Sequence, residues 1–353
     1  MIISNKIISV DFNPMSYKGG IASFNRNLDE IFGDDISYIT LFKSYEHHPR
    51  ELNVGINKNL IFKFFNYMTG YRLSAFLLGR SIGDCEILIL NSPSFFKFLT
   101  LKKRKVILVQ HQSLDVMFNN KSNFSGSWRF LEKVQKSIDR FIVLSELDKE
   151  QAVEKYNFER DKVFVIRHMT TLDSIDEPKV LSKEIIMLTR LDNRQKRIDL
   201  VIRAMKHLKD WNLNIYGDGP DEVMLKKILL EEKTNNVIFH GRTSNIKSAL
   251  DLNSIHVMSS DFEGYGISNI EAMRRGLPLI IRDTFPAARD LINNNGVLLE
   301  KNWSDEEFVK AVKFIEHNYE HLSNNSLSHS LRHSYENALC SWKNLIKGLF
   351  DGE

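Results

Sequence analysis

Residues 254–281 read SIHVMSSDFEGYGISNIEAMRRGLPLII, and the alternation within this stretch decides the fold. The apolar run 255–258 gives way to a loop punctuated by Gly264 and Gly266, and a helical segment starts at about Ile267. Gly276 and a second apolar run, 279–281, follow. Strand, loop, helix and strand in that order make one βαβ unit. The loop carries Glu263 and the first two turns of the helix carry Glu271, with seven residues between them. Ligands of open parallel sheets bind at the carboxyl ends of the strands, so both carboxylates belong at a binding crevice.

Upstream of this unit the same alternation continues. Residues 184–189 read as a strand and are followed by RLDNRQKRIDLVIRAMKHL. Ile198, Val201, Ile202, Met205 and Leu208 mark one helical face, while Arg190 and Lys196 sit in the loop before it. Each cation alone reads equally well as solvated surface. Together at a strand end and beside a helix N-terminus, they suit a diphosphate. Residues 213–216 form a strand ending in Gly217-Asp218-Gly219-Pro220, a turn whose glycines permit positive φ. Another strand, 237–240, runs into Gly241-Arg242, and 282–289 supplies a further loop and helix start. Neither half of the chain has G-x-G-x-x-G in a strand-to-helix turn; Gly264 and Gly266 are only a partial echo of it.

The first half repeats the pattern. Residues 2–10 read as a buried strand, and a loop with Gly19 and Gly20 precedes a helical face made by Ile21, Phe24, Leu28 and Ile31. The glycine pair fits either a plain turn or a loop that lets a phosphate or sugar approach the backbone and a helix N-terminus. Strands follow at 86–90, 106–110, 140–144 and 162–167. His111 stands directly after one of them, where an imidazole can donate to phosphate or to a sugar hydroxyl. Residues 170–181 lack a sustained period and contain Pro178, which marks a linker. Alternating β and α throughout implies doubly wound parallel sheets. Beyond Trp303 the chain is helical and charged, and Leu339, Trp342, Leu345 and Ile346 form a final apolar stripe suited to packing.

Between residues 58 and 105 the chain mixes Phe62, Phe64, Phe65, Tyr67, Tyr71, Phe76, Phe95, Phe96 and Phe98 with nine Lys or Arg and two acids. The plain reading is an aromatic core with a solvated basic face. The functional one is peripheral contact with anionic lipid, to which each basic residue contributes about 1 kcal/mol. With 353 residues and 42% hydrophobic content the chain suits two domains. A formal charge of +3 argues against nucleic acid as the partner. Cys85 and Cys340 are far apart and match no metal pattern, which fits a reducing compartment. Neither a secretory leader nor a membrane span is expected from the apolar runs present.

Arg190 with Lys196, the turn 217–220, and EGYGISNIE from Glu263 to Glu271 occur in the order and approximate spacing of glycosyltransferase family 4. The chain resembles these group 1 enzymes from Gly19 to its last helix. Two departures stand out: one extra residue between Arg190 and Lys196, and Arg167-His168-Met169-Thr170 where the family has a proline-asparagine-glycine turn.

The resemblance implies a GT-B fold, with two Rossmann-like doubly wound domains facing each other across a cleft. An acceptor-binding domain would span 1–172, a nucleotide-sugar domain 173–334, and the helix 335–353 would pack back on the first domain. It implies a retaining, metal-independent hexosyltransferase that uses a UDP-sugar. The acceptor would be a glycan or lipid-linked saccharide in bacterial surface polysaccharide synthesis, such as lipopolysaccharide or capsule, on the inner face of the cytoplasmic membrane. By the same resemblance the catalytic residues are Glu263 beside the donor sugar, His111 at the sugar-phosphate end of the donor, and Arg190 and Lys196, which clasp the diphosphate. Glu271 takes the ribose; Gly19, Gly20 and Gly217 face the donor, as do the backbone groups of Tyr265, Gly266 and Ile267. No Asp-x-Asp pattern stands at a credible site, so no metal is expected. A sugar-nucleotide epimerase and a non-catalytic sugar-nucleotide or glycan-binding protein share these features and stay open as alternatives.

Overall fold

The computed structural model describes residues 6–350 except 18, 45, 47, 58, 60, 63, 65–67, 69–71, 98, 100, 102–103 and 120–127. The chain divides into two compact units, residues 1–168 with 338–353, and residues 169–337.

The first unit is built on β1 (Ile7–Asp11), β2 (Ile36–Phe42), β3 (Glu51–Ile56), β4 (Ile87–Leu90), β5 (Lys105–Val109), β6 (Arg140–Val143) and β7 (Val163–Val165). All pair in parallel, in the order β3-β2-β1-β4-β5-β6-β7. The second unit holds β8 (Glu184–Leu188), β9 (Asn212–Tyr216), β10 (Val237–Gly241), β11 (Ile255–Met258), β12 (Leu279–Arg282) and β13 (Gly296–Leu299). These are also parallel, in the order β10-β9-β8-β11-β12-β13. Each unit is therefore a doubly wound α/β sheet, as the alternation in the sequence predicts.

Central strands are apolar on both faces because helices cover both faces of a parallel sheet. IISVD, ILIL, IHVM and LIIR are buried at every position. In each sheet the strand order reverses between the first strand and its neighbour, β1 beside β4 and β8 beside β11. Ligand crevices form at such reversals. The loops there are those that follow β1 with Gly19 and Gly20, β8 with Arg190 and Lys196, and β11 with Glu263.

Three strands lack the continuous apolar signal. β3 is a partly exposed edge strand, and β13 is a four-residue edge. β2 is buried yet carries Ser37 and Thr40 in the middle of its run.

Four helices bear on the strand-end loops and on the packing of each unit: α1 (Gly20–Phe32), α2 (Ile198–Ala204), α3 (Ile267–Arg274) and α4 (Tyr335–Lys347). α1 buries Ala22, Phe24, Leu28 and Ile31. Within the first unit, Trp342 of α4 meets the rings of Phe24 and Phe32, each at 6.0 Å between centroids. Arg140 Nη2 donates to Gly348 O at 2.8 Å. The stripe on α4 is thus a packing face.

The basic aromatic stretch divides. Phe95 and Phe96 are core, whereas Ile61, Phe64, Met68 and Phe76 are each more than half exposed. Lys58, Phe65, Tyr67, Tyr71, Phe98, Lys102 and Lys103 lie outside the described residues. No helix among the described residues is long and apolar enough to cross a membrane.

Candidate functional site

In the second unit the loop after β8 lies against the turn after β9. A Cβ on Gly217 would fall 1.8 Å from Thr189 O, and one on Gly219 would fall 2.4 Å from Leu191 O. Only glycine permits this approach, which Leu191 N–H completes by donating to Asp218 O at 2.8 Å. Gly217 therefore supports the Arg190 loop from behind. The Arg190 guanidinium is largely exposed and donates to Asp192 Oδ2 at 2.6 Å.

Lys196 closes a short helical turn, residues 193–196, rather than lying in open loop. Arg197 then takes a left-handed conformation, φ +48°, before α2 begins. This turn is bonded to the loop after β11. Asp261 N–H donates to Gln195 O at 2.7 Å, and Gln195 Nε2 donates to Phe262 O at 3.0 Å. Ser259 Oγ lies 2.9 Å from Lys196 O. The result is an ion pair between Lys196 Nζ and Glu263 Oε1, both side chains mostly buried. Ser260 Oγ donates to the same carboxylate oxygen at 2.8 Å. A mostly buried pair of this kind holds its geometry better than a surface pair, because water screens it less.

Gly266, at φ +79°, turns the chain into α3. A Cβ there would lie 2.7 Å from both Met258 Cε and Asn269 Nδ2. Tyr265 is buried and its hydroxyl donates to Asp290 Oδ2 at 2.8 Å, so only its backbone serves the loop. Ile267 opens the helix. Glu271 sits one turn further on, and no described group bonds its carboxylate. Burial alone pushes that carboxyl up to about 7. The cations nearest in sequence are engaged elsewhere: Arg274 Nε donates to Leu172 O at 2.5 Å, and Arg275 forms a two-pronged pair with Asp251 at 2.8 and 2.9 Å.

In the first unit Gly19 is extended, φ 170°, and its Cβ position meets nothing nearer than Tyr17 Cδ1 at 3.9 Å. Neither conformation nor packing demands glycine there. Gly20 is the first residue of α1. His111 follows β5, and its Nε2 lies 2.8 Å from Asn91 Oδ1. The ring of Phe24 packs on it edge-to-face and that of His168 stacks on it, at 4.8 and 6.0 Å between centroids. Burial, with His168 adding to it, holds the His111 imidazole well below its ordinary value, and burial takes His168 to about 4. Both rings are neutral near pH 7.

Of the residues singled out in the sequence, Lys196 and Glu263 are joined directly. Arg190 shares their loop but is paired with Asp192. Glu271 stands apart, with no bond to either, and Gly19, Gly20 and His111 belong to the first unit. Asn91, Ser259, Ser260 and Gln195 have no motif that would single them out. Ser259 and Ser260 do lie inside the stretch 254–281, where a count of the polar partners available to Glu263 would have reached them.

Residues 173–328 match the sequence model of the family described as Glycosyl transferases group 1. Over 284 residues the chain is 27% identical to an uncharacterized glycosyltransferase of Haemophilus influenzae, covering 74% of this chain and 76% of that one. It is 24% identical over 288 residues to the O-antigen biosynthesis glycosyltransferase WbnH of Escherichia coli, covering 81% and 82%. Other curated relatives are longer, and the matched part spans as little as 24% of their length. Among solved structures, a TarM variant of S. aureus, in complex with fondaparinux, α-GlcNAc-glycerol and UDP, superposes with a TM-score of 0.76. That match has 16% sequence identity and covers 99% of this chain and 100% of that one. The fold is thus the GT-B fold of glycosyltransferases.

Proposed function

We propose that this chain is a retaining, metal-independent glycosyltransferase moving a hexose-type sugar from a UDP-sugar to a glycan or lipid-linked saccharide in bacterial surface polysaccharide synthesis. The observation that carries the reading is the arrangement after β8 and β11. A mostly buried ammonium is held on Glu263 at the strand ends, and Glu271, on the adjoining helix, has no partner among the described residues. An anionic ligand with vicinal hydroxyls matches both: its diphosphate would compete for Lys196, and its ribose hydroxyls would donate to Glu271.

The family match and the O-antigen relative support this choice over other nucleotide chemistry. Arg190 and Lys196 would stabilise charge growing on the departing diphosphate. Arg190 has an exposed pair with Asp192, worth about 0–1 kcal/mol, and a long hydrogen bond to Gln195 Oε1 at 3.4 Å to give up. Glu263 would orient the sugar. The phosphate released on one face would itself take the acceptor's proton, which gives retention without a carboxylate nucleophile.

Residence on the cytoplasmic face of the membrane forms part of the proposal. Exposed Ile61, Phe64, Met68 and Phe76 in a basic stretch suit the surface of anionic lipid. Sedimentation with phosphatidylglycerol vesicles at low salt and release at high salt is the expected result; no sedimentation at low salt removes this element. The reaction itself is tested by screening sugar nucleotides for slow hydrolysis, then analysing acceptor extracts by mass spectrometry. Conversion of donor alone into its epimer would replace transfer with epimerisation. UDP binding without turnover of any donor would make this a binding protein.

A further inference from the structure

Ser9, Asn25, Asn91 and His111 form a hydrogen-bonded network beneath the carboxyl ends of β1, β4 and β5. The first three are almost fully buried. Their donors and acceptors can be counted, and the count has one solution. Asn91 Nδ2 lies 3.1 Å from Val10 O, a carbonyl that only accepts, so the amide nitrogen points into the unit. Ser9 Oγ accepts from Asn91 Nδ2 at 2.9 Å and donates to Asn25 Oδ1 at 3.0 Å. The remaining Asn91 atom, Oδ1, faces His111 Nε2 at 2.8 Å and can only accept. The proton of the imidazole must therefore sit on Nε2.

We propose that Asn91 is a positioning residue that locks His111 in the Nε2–H tautomer, leaving Nδ1 as a lone pair for a substrate hydroxyl. The tautomer follows from the network alone. The identity of the hydroxyl, as one on the sugar or its acceptor, rests on the glycosyltransferase reading. His168 is the titratable group facing the ring among the described residues, and it too is neutral near pH 7. Phe24 packs edge-to-face with the same ring. A neutral imidazole with Nε2 already donating accepts from a hydroxyl and has no proton for a phosphate oxygen. The role assigned to His111 is thus acceptance, in place of the donation to phosphate that its position after β5 suggests.

The test needs no substrate in its first arm. Nitrogen-15 NMR of the histidine side chains, assigned by a His111→Gln difference, should give a pyrrole-type Nε2 and a pyridine-type Nδ1 that do not titrate between about pH 5 and 8. The opposite tautomer, or an imidazolium in that range, overturns the proposal. Asn91→Asp puts a charge against Nε2–H and should raise the His111 titration by about 1–3 pH units; a folded variant with an unmoved titration also overturns it. In the second arm, Asn91→Leu, which cannot accept, should lower kcat for donor hydrolysis at least about tenfold with UDP affinity unchanged. Full kcat in that variant removes the hydroxyl role. A correct tautomer in a chain that turns over no donor would leave the Asn91 assignment standing and would discard the enzyme reading instead.

Discussion

The first unit holds its candidate group, His111, as a neutral ring on amides and hydroxyls, whereas the second holds Lys196 as an ammonium on a carboxylate. Both lie at the carboxyl ends of parallel strands, yet their surroundings do different work. The neutral network places a proton, because Val10 O fixes the orientation of the Asn91 amide and leaves its Oδ1 to accept from His111. The charged pair holds an ammonium at the strand ends on a carboxylate. Stripping one partner from the buried neutral network costs about 1–3 kcal/mol, whereas stripping one partner from a buried ion pair costs about 3–5 kcal/mol. The two regions should therefore respond very differently to substitution.

Lys196→Ala gives the largest expected effect. Donor hydrolysis should fall about 10²–10³-fold, the loss typical of a donor aimed at developing charge. A loss below about tenfold would put the charged pair on the same footing as the neutral network and break the contrast.

Next comes Glu271→Ala, which should weaken UDP about tenfold or more, as the loss of a hydrogen bond to a charged acceptor does. Calorimetry measures it, and unchanged affinity withdraws the ribose role. Because the Glu271 carboxyl is pushed up to about 7, ionisation should improve it as an acceptor. Wild-type affinity should then rise from about pH 6 to 8 relative to Glu271→Gln, which removes the phosphates' own titration from the comparison.

The smallest effect is on stability, and here the two units should behave alike. Asp11, at the end of β1, is buried with Oδ2 unpartnered among the described residues, and burial pushes it to about 7, as it does Glu271. Both folded-state values lie above the unfolded ones, so the folded chain binds these protons more tightly. Their contribution is fully present below about pH 4 and is lost as pH rises through about 7. Asp11→Asn and Glu271→Gln should each flatten the fall in Tm over that window by a few degrees. A steeper fall in either variant would reverse the sign.

Much of the fold is legible in the sequence. Runs such as ILIL, RFIV and IHVM are buried on both faces, and a continuous apolar run is the local signature of a covered parallel strand. β2, with Ser37 and Thr40 inside it, lacks that signature, since its buried hydroxyls look like surface. Thr40 Oγ1 pairs with Glu51 and Asn53 across the sheet edge, which no local pattern announces. In the second unit the loops with Arg190, Lys196 and Glu263 follow from strand ends. The bonding of Lys196 to Glu263 does not, because Ser259, Gln195 and Asp261 draw together segments more than sixty residues apart.

The amino-acid order by itself determines the central parallel strands of both sheets, their ends, and hence the loops at the reversals, because periodicity and apolar runs are local and encode burial directly. Only the tertiary structure decides which groups meet. Asn91 and Ser9 are 82 positions apart and Lys196 and Glu263 are 67. A hydrogen bond or ion pair depends on ångström placement and direction, which chain folding sets and no spacing in sequence records. The proton on His111 is the clearest case: its residue type allows two tautomers, and the packed neighbours of Asn91 leave one.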